Sequence, residues 1–139
     1  MKVLIDTCVA IDFLQKREPY HKDAYRIFHA AATNLFTGCI TAKAATDIYY
    51  LMHRHTHSDQ AARTQLAQLL TLIGMVDTSS EDIFHALSSD ISDFEDAVMA
   101  ETAVRSHMDC IVTRNSRDYI RSAVPVYTPE ELLEILKSS

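Results

Sequence analysis

A chain of 139 residues that is 47% hydrophobic, with two Gly, three Pro and no Trp, has the length of one compact domain and too much apolar content for disorder. Its formal charge of −6 argues against nucleic-acid binding through a broad basic face. A local group of carboxylates escapes that argument, because a divalent cation bound among them offsets their charge and attracts phosphate. Cys8, Cys39 and Cys110 lie scattered in apolar contexts without C-x-x-C spacing and read as free thiols in a reducing cytoplasm. The opening MKVLIDTCVAIDFLQ, interrupted by Asp6 and Asp12, reads neither as a signal peptide nor as a membrane span.

In chain order, KVLI (2–5) is the first β-type run and 9–14 a short helix. Apolar spacing near 3.6 then predicts a helix over 22–32, followed by a β run at 38–40 and helices over 42–53 and 60–72. A third β run falls at 74–76, helices at 83–87 and 95–107, and a fourth β run, CIVT, at 110–113. A short edge strand at 125–127 precedes a helix over EELLEILK. Capping-box spacing marks three helix starts: Thr78 to Glu81, Ser92 to Glu95, and Thr128 to Glu131 with Pro129 at the first helical position. Strands alternating with helices predict a three-layer α/β/α sandwich around a central, mostly parallel sheet, in one domain over 1–139.

Three acids stand out against this frame. Asp6 follows the first strand directly, at the carboxyl end where open α/β sheets place their crevice; its alternative role is to cap the helix that follows. Asp47, in TAKAATDIYYLMHR, is a poor mid-helix residue on the flank of the stripe Ala44, Ile48, Leu51 and Met52. It needs a metal, a hydrogen-bond donor or a neighbouring Lys or Arg. Asp96, in SDFEDAVMAETAV, sits in a first helical turn on the face of Ala100 and Ala103, where it meets a site or only the helix dipole. After CIVT come Arg114, Asn115, Arg117 and Asp118; Asn115 can coordinate a hard cation through its carbonyl, and Asp118 can be a ligand or a cap. Arg114, nearest the strand end, is the candidate phosphate contact, while Arg121 reads as solvated surface charge.

Taken together, LIDTCVAIDFL, TDIYYL, SDFEDAVMAETA and IVTRNSRDY, in this order and spacing across nearly the whole chain, resemble the PIN-domain nucleases. REPYHKDA and VPVYTPEELL are similar to the bacterial and archaeal subgroup that includes VapC-type toxins. The resemblance implies a Rossmann-like sandwich and carries catalytic and metal-ligand roles onto Asp6, Asp47 and Asp96. One or two Mg²⁺ or Mn²⁺ ions would be held there, with Asn115 and Asp118 as further ligand candidates and Thr113 and Arg114 toward substrate. It implies an endoribonuclease, the toxin of a toxin-antitoxin pair, that hydrolyses RNA with a metal-activated water and has a small antitoxin protein and a second copy of itself as partners. Two positions depart from the pattern. Asn115 stands where many such nucleases have a fourth Asp, which weakens a second metal, and Cys8 stands where Asn is frequent.

Two other functions compete. Asn115 also suits a non-catalytic PIN-like module that binds RNA or protein. A haloacid-dehalogenase-type phosphatase also begins with an Asp after a strand, but Asp6-Thr7-Cys8 lacks the second Asp of its D-x-D motif. His53, His55 and His57 in HRHTH point to different sides of a helix and read as a frayed helix end, not a zinc site. Tyr49 and Tyr50 read as core or rim aromatics.

Overall fold

A computed structural model of the protein describes residues 1–138. Five strands, β1 (Lys2–Ile5), β2 (Thr37–Thr41), β3 (Gly74–Val76), β4 (Cys110–Val112) and β5 (Val126–Tyr127), form one sheet in the order β3-β2-β1-β4-β5. Every neighbouring pair is parallel, so the sheet expected to be mostly parallel is wholly so. Among the described residues the helices are α1 (Thr7–Leu14), α2 (His21–Ala32), α3 (Ala42–Thr56), α4 (Asp59–Leu72), α5 (Ser80–Ala86), α6 (Phe94–Arg105) and α7 (Pro129–Lys137), with a 3-10 turn at Ser116–Tyr119. Among the described residues no helix is long and apolar enough to cross a membrane.

Successive strand side chains point to opposite faces, and this divides the core in two. Val3, Ile5, Ile40 and Val112 pack with the buried sides of α1 to α4 and α7. Leu4, Cys39 and Ile111 pack on the other face with Ala86 of α5 and with Ala97, Met99, Ala100 and Ala103 of α6. Burial of each large aliphatic side chain stabilises the fold by about 1.5–3 kcal/mol, and the central strands contribute on both faces.

Chain order places the crevice. From β1 the chain moves to β2 on one side, and it returns to β4 on the other, so the switch point lies between the carboxyl ends of β1 and β4. There Ile5 pairs with Val112, and the Asp6 amide donates to the Val112 carbonyl at 3.0 Å. Asp6 and Thr113, more than a hundred residues apart in sequence, therefore leave the sheet side by side.

Two helix starts differ from the expected caps by one residue. α5 is capped by Ser79 with Asp82 completing the box, not by Thr78 with Glu81. The cause is Asp82 itself. It is 1% exposed, accepts from Arg105 Nε at 2.8 Å and Thr102 Oγ1 at 2.9 Å, and takes the Ser79 amide at 3.0 Å. α6 is capped by Asp93, whose side chain accepts from the Asp96 amide at 3.0 Å, so the Ser92 to Glu95 box is not formed. The third box, Thr128 with Glu131, forms as expected. α3 does not fray at HRHTH: it runs to Thr56 and closes on His57 in the left-handed region (φ 56°), whose amide donates to the His53 carbonyl at 2.8 Å.

Candidate active site

Asp6 occupies the position of a helix cap but makes no side-chain capping bond to α1. Its carboxylate turns to the switch point, where Thr113 Oγ1 donates to Oδ2 at 2.7 Å and the Tyr119 hydroxyl donates to the same oxygen at 3.4 Å. Both donors are rigid, because Thr113 is 0% exposed and Tyr119 2%. The Asn115 amide donates to Thr113 Oγ1 at 3.1 Å, and the Cys8 thiol lies 3.6 Å from the same oxygen. Burial pushes the Asp6 carboxyl above its ordinary range, against the hydrogen bonds from Thr113, the Thr7 backbone, Tyr119 and Cys8. Cys8 is pushed up to about 11 by burial and by the charge of Asp6, so its thiol stays protonated and unreactive.

Asp96 faces Asp6 from the first turn of α6. The shift of the α6 cap to Asp93 engages the Asp96 amide and leaves its carboxylate to the cleft. Burial pushes that carboxyl up to about 6, the Tyr119 hydroxyl opposes the rise, and the charges of Asp6, Asp93 and Asp118 add to it. Tyr119 thus lies within hydrogen-bonding reach of both acids, and burial between them holds its own hydroxyl firmly protonated. No cation bonds to either carboxylate among the described residues.

Asp47 lines the same cleft, a space of about 350 Å³ that also exposes Asp6, Thr41, Lys43, Glu95 and Asp96. It does not join the pair. Lys43, one helical turn earlier, places its Nζ 2.6 Å from Asp47 Oδ2 and 3.3 Å from Glu95 Oε1, bridging α3 to α6. Among the described residues no three His, Cys, Asp or Glu side chains are gathered closely enough to hold a metal ion. All three acids read from the sequence therefore line one cleft, with Asp6 and Asp96 both in reach of Tyr119 and Asp47 ion-paired to an i,i+4 lysine.

Asn115 and Asp118 are exposed and outside the cleft lining, although the charge of Asp118 reaches Asp96. Thr113, read from the sequence as facing substrate, is fully buried, lies outside the cleft lining and donates to Asp6. Arg114 also turns away: its Nε donates to Asp12 Oδ2 at 2.6 Å, and its guanidinium lies 4.0 Å from the centre of the Tyr20 ring. The reason is Asp12, a carboxylate 1% exposed inside α1 that needs a cation at its side. Sequence reasoning missed Tyr119 as the buried hydroxyl between the two acids and Glu95 as a cleft residue. Glu95 carried a signal, lying beside Asp96, whereas nothing in the 3-10 turn set Tyr119 apart.

A wholly parallel, doubly wound sheet with two half-buried carboxylates, neither paired with a cation, at its switch point defines an α/β sandwich with an acidic cleft. The sequence profile of the PIN domain matches residues 2–117, and the chain belongs to the PIN domain family. A search of curated proteins finds no match. Solved structures similar in fold include VapBC2 from Rickettsia felis bound to a DNA fragment from their promoter, at 17% identity and a TM-score of 0.69, covering 92% of this chain and 98% of that one. A toxin-antitoxin complex from Klebsiella pneumoniae matches at 22% identity and a TM-score of 0.66, covering 91% and 97%. VapC20 from Mycobacterium tuberculosis, a sarcin-ricin loop cleaving toxin, matches at 15% identity and a TM-score of 0.63, covering 78% and 86%.

Proposed function

We propose that this PIN-domain protein is a metal-dependent endoribonuclease, the toxin of a toxin-antitoxin pair acting in the cytoplasm. The observation that carries the reading is the pair Asp6 and Asp96, facing each other at the sheet's switch point with hydrogen-bond donors but no cation to stabilise their charge. Hard oxygen donors whose charges repel are the set that Mg²⁺ or Mn²⁺ fits. A bound ion of this kind supplies an activated water and offsets the charge that builds up during hydrolysis of a phosphodiester.

The chain's own contribution is orientation. Thr113 and Tyr119 hold Asp6, Tyr119 also steadies Asp96, and the buried hydroxyls cannot follow bulk water. Asp47 becomes a third ligand when Lys43 releases it, and the freed ammonium then faces the cleft as a contact for substrate phosphate. The antitoxin partner follows from the similar structures, two of which are VapBC or toxin-antitoxin complexes. A second copy of the chain is assigned to the exposed apolar side chains of Phe84 in α5 and of Leu87, which caps its C-terminus.

The test is cleavage of a mixed-sequence RNA in Mn²⁺ or Mg²⁺. Asp6→Asn and Asp96→Asn are each expected to lower the rate about a thousandfold, equivalent to the several kcal/mol such a metal contributes, with the melting temperature retained. Cleavage undiminished in both variants sinks the assignment. The pairing of Asp47 with Lys43 favours a second reading, a PIN module that binds RNA or protein without cutting. Calorimetry showing no Mn²⁺ binding at neutral pH selects it.

A further inference from the structure

One face of α3 continues the acidic cleft beyond Asp47. Asp47, Tyr50, Leu51 and Arg54 are spaced i, i+3, i+4 and i+7, and all four line the same space. Leu51 packs against the core, which fixes the helix face, while Tyr50 is 66% exposed and Arg54 is exposed. At 1.5 Å per residue the stripe runs about 10 Å along the helix from Asp47 to Arg54, long enough to follow a nucleic-acid strand past the reacting phosphate.

Charge accounting singles out Arg54. The cleft lining holds four carboxylates, Asp6, Asp47, Glu95 and Asp96, and two basic side chains, Lys43 and Arg54. Lys43 is already shared between Asp47 and Glu95. Arg54 makes no hydrogen bond, ion pair or ring contact among the described residues. Arg63, Arg105 and Arg114, by contrast, are taken up by Asp59, Asp82 and Asp12. Arg117 and Arg121 are also without a carboxylate, but they lie outside the cleft lining. Beside Arg54 the Tyr50 ring meets Tyr49 edge-on, with centroids 4.9 Å apart and planes at 82°, an arrangement that leaves much of the ring open to solvent. An open ring next to an unpaired guanidinium on the wall of a carboxylate cleft matches what single-stranded nucleic acid requires: a stacking surface and a backbone charge contact.

We propose that Arg54 and Tyr50 form the track for single-stranded RNA on one side of the scissile phosphate, with Arg54 binding a neighbouring phosphate and Tyr50 stacking a base. The proposal rests on the nuclease reading above and names positioning residues for it. The acids do the chemistry, and the track sets which way the strand lies and keeps it in a cleft whose other charges repel it.

The experiment measures binding apart from cutting. Fluorescence anisotropy of a short labelled single-stranded RNA is followed against NaCl concentration, in EDTA, with the full chain carrying Asp96→Asn. Arg54→Ala is expected to weaken binding about tenfold and to reduce the slope of log K against log salt by about 0.7, the value of one single-strand phosphate contact, while Arg54→Lys keeps the slope. Tyr50→Ala is expected to weaken binding about tenfold at unchanged slope, and Tyr50→Phe to bind as the parent does. Arg26→Ala, on α2 outside the cleft, alters neither quantity. Affinity and slope equal to the parent in both alanine variants overturn the track, as does loss of affinity in Arg54→Ala with no change of slope. Dependence on Arg54 and Tyr50 in a chain whose unmutated form cuts no RNA in Mn²⁺ leaves the track standing and removes only the nuclease.

Discussion

Asp82 and Asp96 are the same residue type on neighbouring helices of the same face, and their surroundings drive them in opposite directions. Burial alone would raise Asp82, but the Arg105 guanidinium, the Ser79 amide and Thr102 outweigh it and hold the carboxyl below its ordinary range. Asp96 has acids for neighbours and one hydroxyl, and is pushed up to about 6. A carboxylate supplied with its cation is finished and serves the fold. One left short among other carboxylates costs stability and is ready for an external cation.

Breaking the Asp82 side of this contrast is expected to give the largest stability effect. Asp82→Ala leaves the Arg105 guanidinium without its partner and uncaps α5, and should cost about 3–5 kcal/mol in urea unfolding. Cleavage per folded molecule should stay within about twofold of the parent. Asp96→Asn should do the reverse: in EDTA at neutral pH its melting temperature rises or holds, a gain of at most about 1 kcal/mol for a group in partial contact with water.

The pH dependences carry opposite signs. The folded protein binds the Asp96 proton at about 6 and the unfolded chain at the ordinary 3.8, so this group adds stability to the metal-free protein as pH falls from above 6 toward 3.8. Asp82, lowered in the fold, contributes fully above the ordinary carboxylate value and loses its contribution as pH falls through its own lower value. Thermal melts of the parent and Asp96→Asn across pH 7 to 4, roughly the span of these carboxyl titrations, test the first sign; a parent with the same slope as the variant contradicts it. The smallest expected effect is that of Tyr119→Phe. Removing the hydroxyl that opposes the rise should move Asp96 further up and shift the acid limb of the cleavage rate upward by less than about one pH unit, with little change in melting temperature.

The order of strands and helices was legible in the sequence because buried parallel strands and amphipathic helices have distinct periods, and nearly every predicted element lies within a few residues of its observed bounds. Caps at α5 and α6 were displaced by one because local spacing cannot see Arg105 reaching Asp82, or choose between Ser92 and the adjacent Asp93. Asp6 could be located by its place after β1, but its release from capping depends on Thr113 and Tyr119, which only the sheet brings near. Asp47 had a lysine within one helical turn, a local feature that already held the reason for its pairing. Arg114 was misdirected because Asp12 looked like one more polar residue in a short helix, whereas burial makes it the strongest claim on that guanidinium.

The bond from Thr113 to Asp6 spans 107 positions in the chain. During synthesis Asp6 is made more than a hundred residues before the two hydroxyls that orient it. Such long-range closure is slow and comes late in folding. A chain that has not yet reached β4 therefore carries Asp6 without the hydroxyls that turn its carboxylate to the switch point.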